Sequence, residues 1–218
     1  MRWTLKTTPN ITTVQQLSKD LSIDDTLSKL LVQRGVSTFE EAKKFFRPSL
    51  EELHDPFLLK DMNLAVSRIE KAIASNENIL IYGDYDVDGT TSVSLVASYL
   101  KTITTSISTY IPDRYDEGYG ISYQGIDFAA DNNFSLIIAL DCGIKAIDKV
   151  AYATKKKVDF IICDHHKPGP KIPDAVAVLN PKRVDCSYPY DELCGCGVGF
   201  KLVQALASKR GQTIEDLT

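Results

Sequence analysis

Acidic and histidine side chains follow three separate apolar segments of this chain. The clusters are Asp84-Tyr-Asp86-Val-Asp88-Gly89, Asp141-Cys-Gly and Asp164-His165-His166. In an extended segment, residues two apart point to the same side, so the first three aspartates are expected to converge on one place. Carboxylates held this close repel each other unless a cation neutralises them.

Oxygen ligands joined by one or two imidazoles favour Mn²⁺ or Mg²⁺, with Mn²⁺ preferred as imidazole is added. Two such ions can share a carboxylate and hold a phosphoryl group during in-line attack by an activated water. The clusters therefore predict a metal centre for phosphoester chemistry.

Each cluster taken alone also fits a simpler role. An Asp-x-Asp-x-Asp-Gly run also begins an EF-hand calcium loop, but the twelfth position there is Glu and here it is Leu95. A single acidic stretch is usually a solvated loop, and an isolated His165-His166 pair usually packs at the surface. The occurrence of the clusters after three separate strand candidates favours a shared site.

The elements that must position these residues alternate between strand and helix. The strand candidates are mostly apolar throughout, as expected when helices cover both faces of a parallel sheet. They are residues 79–82, 107–111, 136–140, 160–163 and 175–179, and the helix candidates are residues 90–100, 123–132, 144–156 and 198–208. The sequence predicts a layered, Rossmann-like α/β domain with its ligands beyond the carboxyl ends of the strands.

Residues 1–60 are predicted to form a helical segment that precedes this domain at 61–218. Ser22 is a candidate cap for a helix that reaches Arg34 and ends before Gly35. Ser37 and Glu40 fit a capping box for a second helix, which Pro48 terminates.

The composition favours a cytoplasmic protein. No apolar run approaches the length of a membrane helix, and no signal-peptide core follows the N-terminus. An odd number of cysteines, five, is typical of reduced thiols. We therefore expect no membrane association.

The three clusters, in this order, resemble the first three motifs of the DHH phosphoesterases. Two further stretches resemble the RecJ type within that family: Arg47-Pro-Ser with Asp55-Pro56 and Asp61-Met62, and Ile111-Pro-Asp-Arg114 with Glu117-Gly-Tyr-Gly120. The resemblance covers nearly the whole chain. It implies a two-metal enzyme that uses Mn²⁺ or Mg²⁺.

The resemblance also assigns roles to the site residues. It implies that Asp86, Asp88, Asp141 and His165 are metal ligands, with Asp141 bridging two ions. Asp84 would assist them, and His166 would face the scissile phosphate. Some relatives carry histidine two residues before the first aspartate, where this chain has Tyr82, which would weaken the first metal site.

Weaker signals concern the substrate. Arg114 is suited to bidentate phosphate contact, although an ion pair with Asp113 or Glu117 is an alternative. Gly118 near it and Gly197, in a glycine-rich stretch from Gly195 to Gly199, are further candidates for phosphate binding. A structural turn that lines the cleft is the simpler role for that stretch. Cys194 and Cys196 lack a second close pair for a zinc site and are expected to be small buried turn residues.

The leading function implied by the resemblance is a 5′-to-3′ exonuclease on single-stranded DNA, active in repair and recombination and partnered by other repair or replication proteins. The alternatives are a phosphatase of short oligonucleotides or nucleoside bisphosphates, and a non-catalytic replication scaffold.

The family also has a fourth aspartate, in an Ala-Asp segment, and a second domain. Neither is found before Thr218, so residues 1–218 alone are expected to be inactive. The net charge of −4 is low for a protein that binds nucleic acid. The basic surface would then lie in another part of the protein, or metal ions would offset the acids.

Overall fold

The computed structural model describes residues 3–4, 6–7 and 9–217. The chain forms two compact units, of which one ends at Leu53 and the other begins at His54.

The first unit is helical. Its helices are α1 (Ile11–Leu21), α2 (Asp25–Val32) and α3 (Phe39–Phe46), followed by a short 3-10 helix at Leu50–Glu52. A small apolar core holds them together, since each helix turns part of one face inward. Its buried members are Leu17, Leu31, Val36 and Ala42.

Two predicted helix caps in this unit are wrong. Ser22 ends α1 in the left-handed conformation, and the side chain of Asp24 caps α2 instead. The capping box lies one residue later than predicted and joins Thr38 to Glu41. Asp24 and Thr38 each place a side-chain oxygen on an unpaired amide of the first turn, which satisfies that amide.

The second unit contains five parallel strands in the order β2-β1-β3-β4-β5. The predicted α/β fold class is confirmed. The strands are β1 (Asn78–Gly83), β2 (Ile107–Tyr110), β3 (Phe134–Leu140), β4 (Asp159–Cys163) and β5 (Ala177–Leu179).

Helices cover both faces of the sheet and bury its apolar side chains. One face packs against α4 (Met62–Ala74), α5 (Val87–Lys101) and α8 (Gly195–Lys209). The other face packs against α6 (Tyr123–Asp131) and α7 (Ile147–Lys155). Burial on both sides explains why these strands carry apolar residues at nearly every position.

The strand order reverses between β1 and β3. The chain runs from β1 outward to β2, then crosses back to the other side of β1 to form β3. In open α/β sheets, the crevice at such a reversal is where ligands bind, beyond the carboxyl ends of the strands. The register sets Tyr82 beside Ala139 and Leu140 beside Cys163, so β1, β3 and β4 end at the same level.

No helix in the part of the chain that the structure describes is long and apolar enough to cross a membrane.

Candidate active site at the carboxyl edge of the sheet

Asp84 follows β1 and is completely buried. Its Oδ1 accepts a hydrogen bond of 2.8 Å from the amide of Tyr85, while its Oδ2 is buried with no hydrogen-bond partner among the described residues. Burial raises the pKa of Asp84 above its usual value. The hydrogen bond from the Tyr85 amide lowers this pKa by less, and the charge of Asp86 raises it further. Helix α5 approaches this turn closely because of Gly89, where an added Cβ would lie 2.4 Å from the carbonyl oxygen of Asp84.

The sequence predicted that Asp86 and Asp88 lie in an extended segment, and the structure shows that they do not. Helix α5 begins at Val87 rather than Thr90, because Asp86 caps it by accepting a hydrogen bond of 2.9 Å from the amide of Gly89. Asp88 therefore lies in the first helical turn. Asp88 and Asp141 still lie close together, with His165 Nε2 at 3.8 Å from Asp88 Oδ2 and 3.2 Å from Asp141 Oδ1. The charges of Asp88 and Asp86 both raise the pKa of Asp141.

Asp141 follows β3 and is at the centre of the cluster. Its backbone is left-handed (φ 59°), and its amide donates to the carbonyl of Cys163. The side chain is buried, with the residue 1% exposed, and its Oδ1 has no hydrogen-bond partner in the described part of the chain. Burial, followed by the nearby charges of Asp88 and Asp86, raises the pKa of Asp141 to about 8.

The two histidines after β4 have different surroundings. His165 Nε2 lies 3.2 Å from Asp141 Oδ1 and 3.8 Å from Asp88 Oδ2, so its ring sits between two carboxylates. His166 Nδ1 lies 2.7 Å from Asp164 Oδ1, which fixes the ring and leaves Nε2 facing the cleft. His166 Nε2 is 3.3 Å from the hydroxyl of Tyr119.

The glycine-rich stretch forms the start of α8 rather than the turn that we predicted. The amides of Gly195 and Cys196 donate to the two oxygens of Asp88, at 2.6 and 2.7 Å. Cys194 is exposed, not buried, and caps the helix by accepting from the amide of Gly197. Gly197 thus binds the cap of α8, and its amide does not contact the carboxylate cluster.

Gly195 is essential to this arrangement. A Cβ added there would lie 2.3 Å from Asp141 Oδ1, much closer than any real contact. Only glycine lets the N-terminus of α8 contact the carboxylate cluster.

Arg114 and Gly118 lie in the loop that follows β2. Gly118 has φ +81° and its amide donates to the carbonyl of Asp113, which closes a turn. Arg114 has no ion pair with any described carboxylate; its guanidinium lies 5.4 Å from the centre of the Tyr85 ring. The rings of Tyr85 and Tyr119 meet edge to face at 6.1 Å, which extends this surface from Arg114 to His166.

Tyr82 is buried, and its hydroxyl does not contact the carboxylates. Its ring stacks on Tyr110 at 5.3 Å. Its hydroxyl donates to the carbonyl of Gly120 and accepts from the amide of Ser122. Tyr82 thus anchors the loop that carries Arg114.

The sequence analysis assigned no role of their own to three residues that hold the site together. Asp164 accepts the amide of Ile144 as well as His166, and Asn180 donates to the carbonyl of His166. Gly195 is the third. The Asp-His-His run contained the signal for Asp164, because a carboxylate two residues before a histidine can fix its ring. The others depend on the tertiary fold.

The donor set fits a divalent cation. Asp141, His165 and His166 each offer one ligand atom, and these atoms lie within 4.8 Å of one another. Two buried carboxylate oxygens of this site, on Asp84 and Asp141, have no hydrogen-bond partner among the residues described. Such groups are costly to bury unless a positive charge compensates them.

The sequence matches a known protein family over most of its length. Residues 78–218, more than half of the chain and all three clusters, match the DHH family, N-terminal domain. The chain belongs to the DHH family. The family resemblance drawn from the motifs is therefore confirmed.

Among DHH proteins, the chain is similar to curated RecJ sequences. The single-stranded-DNA-specific exonuclease RecJ of Bacillus subtilis is 42% identical over 217 residues, which is 100% of this chain and 28% of that protein. The Escherichia coli RecJ is 33% identical over 181 residues, covering 83% of this chain and 31% of the other. The chain thus spans less than a third of the length of these DHH relatives.

Solved DHH structures agree with the fold. A crystal structure of exonuclease RecJ bound to manganese superposes with a TM-score of 0.65 at 28% identity, covering 71% of this chain and 39% of that one. RecJ of Thermus thermophilus in complex with Mn²⁺ superposes with a TM-score of 0.73 at 23% identity, covering 94% and 28%. At the latter identity the likeness shows the fold alone.

Proposed function

We propose that this chain carries the metal-dependent phosphodiesterase centre of an exonuclease that degrades single-stranded DNA. The observation that carries the proposal is Asp141, buried with an unpartnered Oδ1 beside His165 in a cluster of carboxylates. The chain's membership of the DHH family and its similarity to RecJ exonucleases support this chemistry and this substrate.

Asp86, Asp88, Asp141 and His165 would hold one or two Mn²⁺ or Mg²⁺ ions, with Asp141 shared between them. A bound ion supplies Lewis acidity at the phosphoryl group and an activated water at neutral pH. Asp88 can bind while keeping its contacts to α8, because each carboxylate oxygen has a second lone pair. Its two amide contacts fix the orientation of the ligand in advance.

Asp84 and His166 would act beside the ligands. Asp84, buried behind Asp86, adds negative charge that favours a cation in the cluster. His166 is held by Asp164 so that Nε2 faces the cleft, where it can contact the phosphate that reacts. Asp164 is a positioning residue in this scheme.

The surface beside the cluster supports a single-stranded substrate. Arg114, Tyr85 and Tyr119 form a continuous row of planar groups that ends at His166. Unpaired bases stack on aromatic and guanidinium planes, and a duplex does not offer its base faces. Arg114 is free to bind phosphate, with Gly118 giving the loop its turn. Gly197 remains a more distant candidate.

The direction follows from the family resemblance, the domain limits from the change of sequence pattern after residue 60, and the cellular setting from the composition. We propose a helical segment at 1–60 and a phosphoesterase domain at 61–218, with 5′-to-3′ polarity. Repair or replication proteins are the expected partners, in the cytoplasm.

The test is hydrolysis of an end-labelled single strand by the purified full-length protein in Mn²⁺, Mg²⁺ or EDTA. We expect metal-dependent release of mononucleotides that Asp141→Ala abolishes. Asp131→Ala, at the exposed end of α6, is the matched control and should retain activity. Cleavage that survives in Asp141→Ala would contradict the proposal, and release of phosphate from short oligonucleotides alone would favour a phosphatase.

A further inference from the structure

A pocket of about 260 Å³ opens beside the Asp164–His166 pair. Buried apolar side chains line it together with Tyr119 and His166. Two lysines complete it, one just before α7 and one in its first turn. We call this the lysine pocket, and the residues that define it are Tyr119, Ile121, Ile144, Lys145, Lys149 and His166.

The two lysines have no carboxylate partner. Neither Lys145 nor Lys149 forms an ion pair with any carboxylate in the described ranges, whereas Lys156, just after the same helix, pairs with Asp127. The Nζ of Lys149 lies over the ring of Tyr123, 5.9 Å from its centre. Both ammonium groups are therefore available to an anion.

Asp164, the acid that lines the pocket, forms no ion pair with either lysine. Both oxygens of Asp164 are taken, one by the ring and amide of His166 and the other by the amide of Ile144. Two unpaired cations therefore lie beside a strongly acidic cluster in a chain of net charge −4, and a phosphate bound there would meet their positive charge.

We infer that the lysine pocket binds the sugar–phosphate unit next to the phosphodiester that reacts, with Lys145 and Lys149 contacting its phosphate. The inference rests on the proposed function, because the strand must pass His166 to reach the pocket. Its volume lies just below the range of roughly 300–1,000 Å³ typical of drug-sized ligands, so it suits a single unit of the strand. The aliphatic lining of Ile121 and Ile144 matches a sugar better than it matches a stacked base.

The test compares the double variant Lys145→Ala/Lys149→Ala with the wild type, both as the full-length protein, on single-stranded DNA in Mn²⁺. We expect KM to rise about tenfold, since each exposed phosphate contact contributes modestly. The turnover number should stay within about twofold, because neither lysine touches the reacting atoms. The slope of log affinity against log salt should fall by about 0.7, the value for one phosphate contact on a single strand.

Two variants control for charge and geometry. Lys101→Ala removes an exposed lysine from the last turn of α5, about 20 Å from the cluster, and should leave KM unchanged. Lys145→Arg/Lys149→Arg should restore KM to near the wild-type value. An unchanged KM in the double alanine variant, or an equal rise in Lys101→Ala, would overturn the inference.

A binding measurement separates this inference from the proposed function. Thymidine 5′-monophosphate is titrated in EDTA while the amide signals of residues 143–149 are followed by NMR. Shifts in the wild type that the double alanine variant lacks support the pocket, even if the protein cleaves no DNA. Absence of such shifts in the wild type would overturn the pocket and leave the nuclease assay to judge the metal centre by itself.

Discussion

Replacing Asp141 with Asn should stabilise the metal-free protein while abolishing its response to metal. Asp141 is 1% exposed, one of its oxygens has no hydrogen-bond partner in the described chain, and its pKa is raised to about 8. A folded-state pKa above the unfolded value means that the ionised carboxylate opposes folding at neutral pH. Asn removes the charge, keeps the shape and tolerates the left-handed backbone at φ 59°.

The magnitude follows from the buried charge. The rise in pKa sets an upper bound of about 4 kcal/mol at pH 7, and relaxation around the site lowers the expected gain to about 2 kcal/mol. For a chain of this size, that gain raises Tm by roughly 4–8 °C. Saturating Mn²⁺, at about a hundred times its Kd, should stabilise the wild type by about 2.7 kcal/mol and leave the Asn variant unchanged.

The assay is urea unfolding followed by circular dichroism, in EDTA and in Mn²⁺. Asp131→Asn, which changes an exposed carboxylate at the end of α6, is the control and should behave as the wild type in both buffers. Our reasoning would be refuted if Asp141→Asn were less stable than the wild type in EDTA, or if it gained as much stability from Mn²⁺.

Three further outcomes are expected. His165→Ala should weaken Mn²⁺ binding and turnover together, whereas His166→Ala should slow turnover with Mn²⁺ affinity largely kept; calorimetric titration checks this, and equal losses would contradict it. Gly195→Ala should destabilise the protein and weaken Mn²⁺ binding, because the new Cβ would lie 2.3 Å from a carboxylate oxygen of the cluster. Gly197→Ala is the control and should be tolerated, because the nearest atom to a Cβ there is 3.4 Å away. Burial lowers the pKa of Lys201, in α8, from 10.5 to about 8. Between pH 8 and pH 10.5 the unfolded chain therefore holds a proton that the folded chain has lost. The free energy of unfolding of the wild type should rise by up to about 3 kcal/mol across this range. Urea unfolding at several pH values should show that Lys201→Met lacks this rise.

The sheet and the location of the site could be predicted because both depend on local pattern. Strands buried on two faces must be apolar at almost every position, and this distinguishes residues 136–140 and 160–163 directly in the sequence. Parallel strands then bring their carboxyl ends to one edge, so Asp141 and Asp164 had to lie near each other.

Capping choices were harder to predict because neighbouring residues compete for the same role. Ser37 and Thr38 can both cap α3, and the fold selects Thr38 because Glu41 can reach back to it. At the start of α5 the signal was present: an aspartate three residues before a glycine amide is a normal N-cap. Treating 84–88 as extended ignored that competition and misplaced Asp88.

Tertiary contacts could not be predicted at all from spacing. The close approach of Gly195 to Asp141 depends on how α8 packs across the sheet. The same holds for the lysine pocket, because no sequence pattern indicates that Lys145 and Lys149 line one pocket with Tyr119 and His166.

The contact between Asp88 and the first turn of α8 has a consequence for the order of events during synthesis. The partners Asp88 and Gly195 are 107 residues apart in the chain. At translation rates of about 5–20 residues per second, the nascent aspartate waits roughly 5–20 s for its amide partners to emerge. During that interval the strands after β1 are still being made, and the acidic edge lacks the helix that orients it. The contact that orients Asp88 is thus a late step of synthesis, because it can form only after nearly all of this unit has been made.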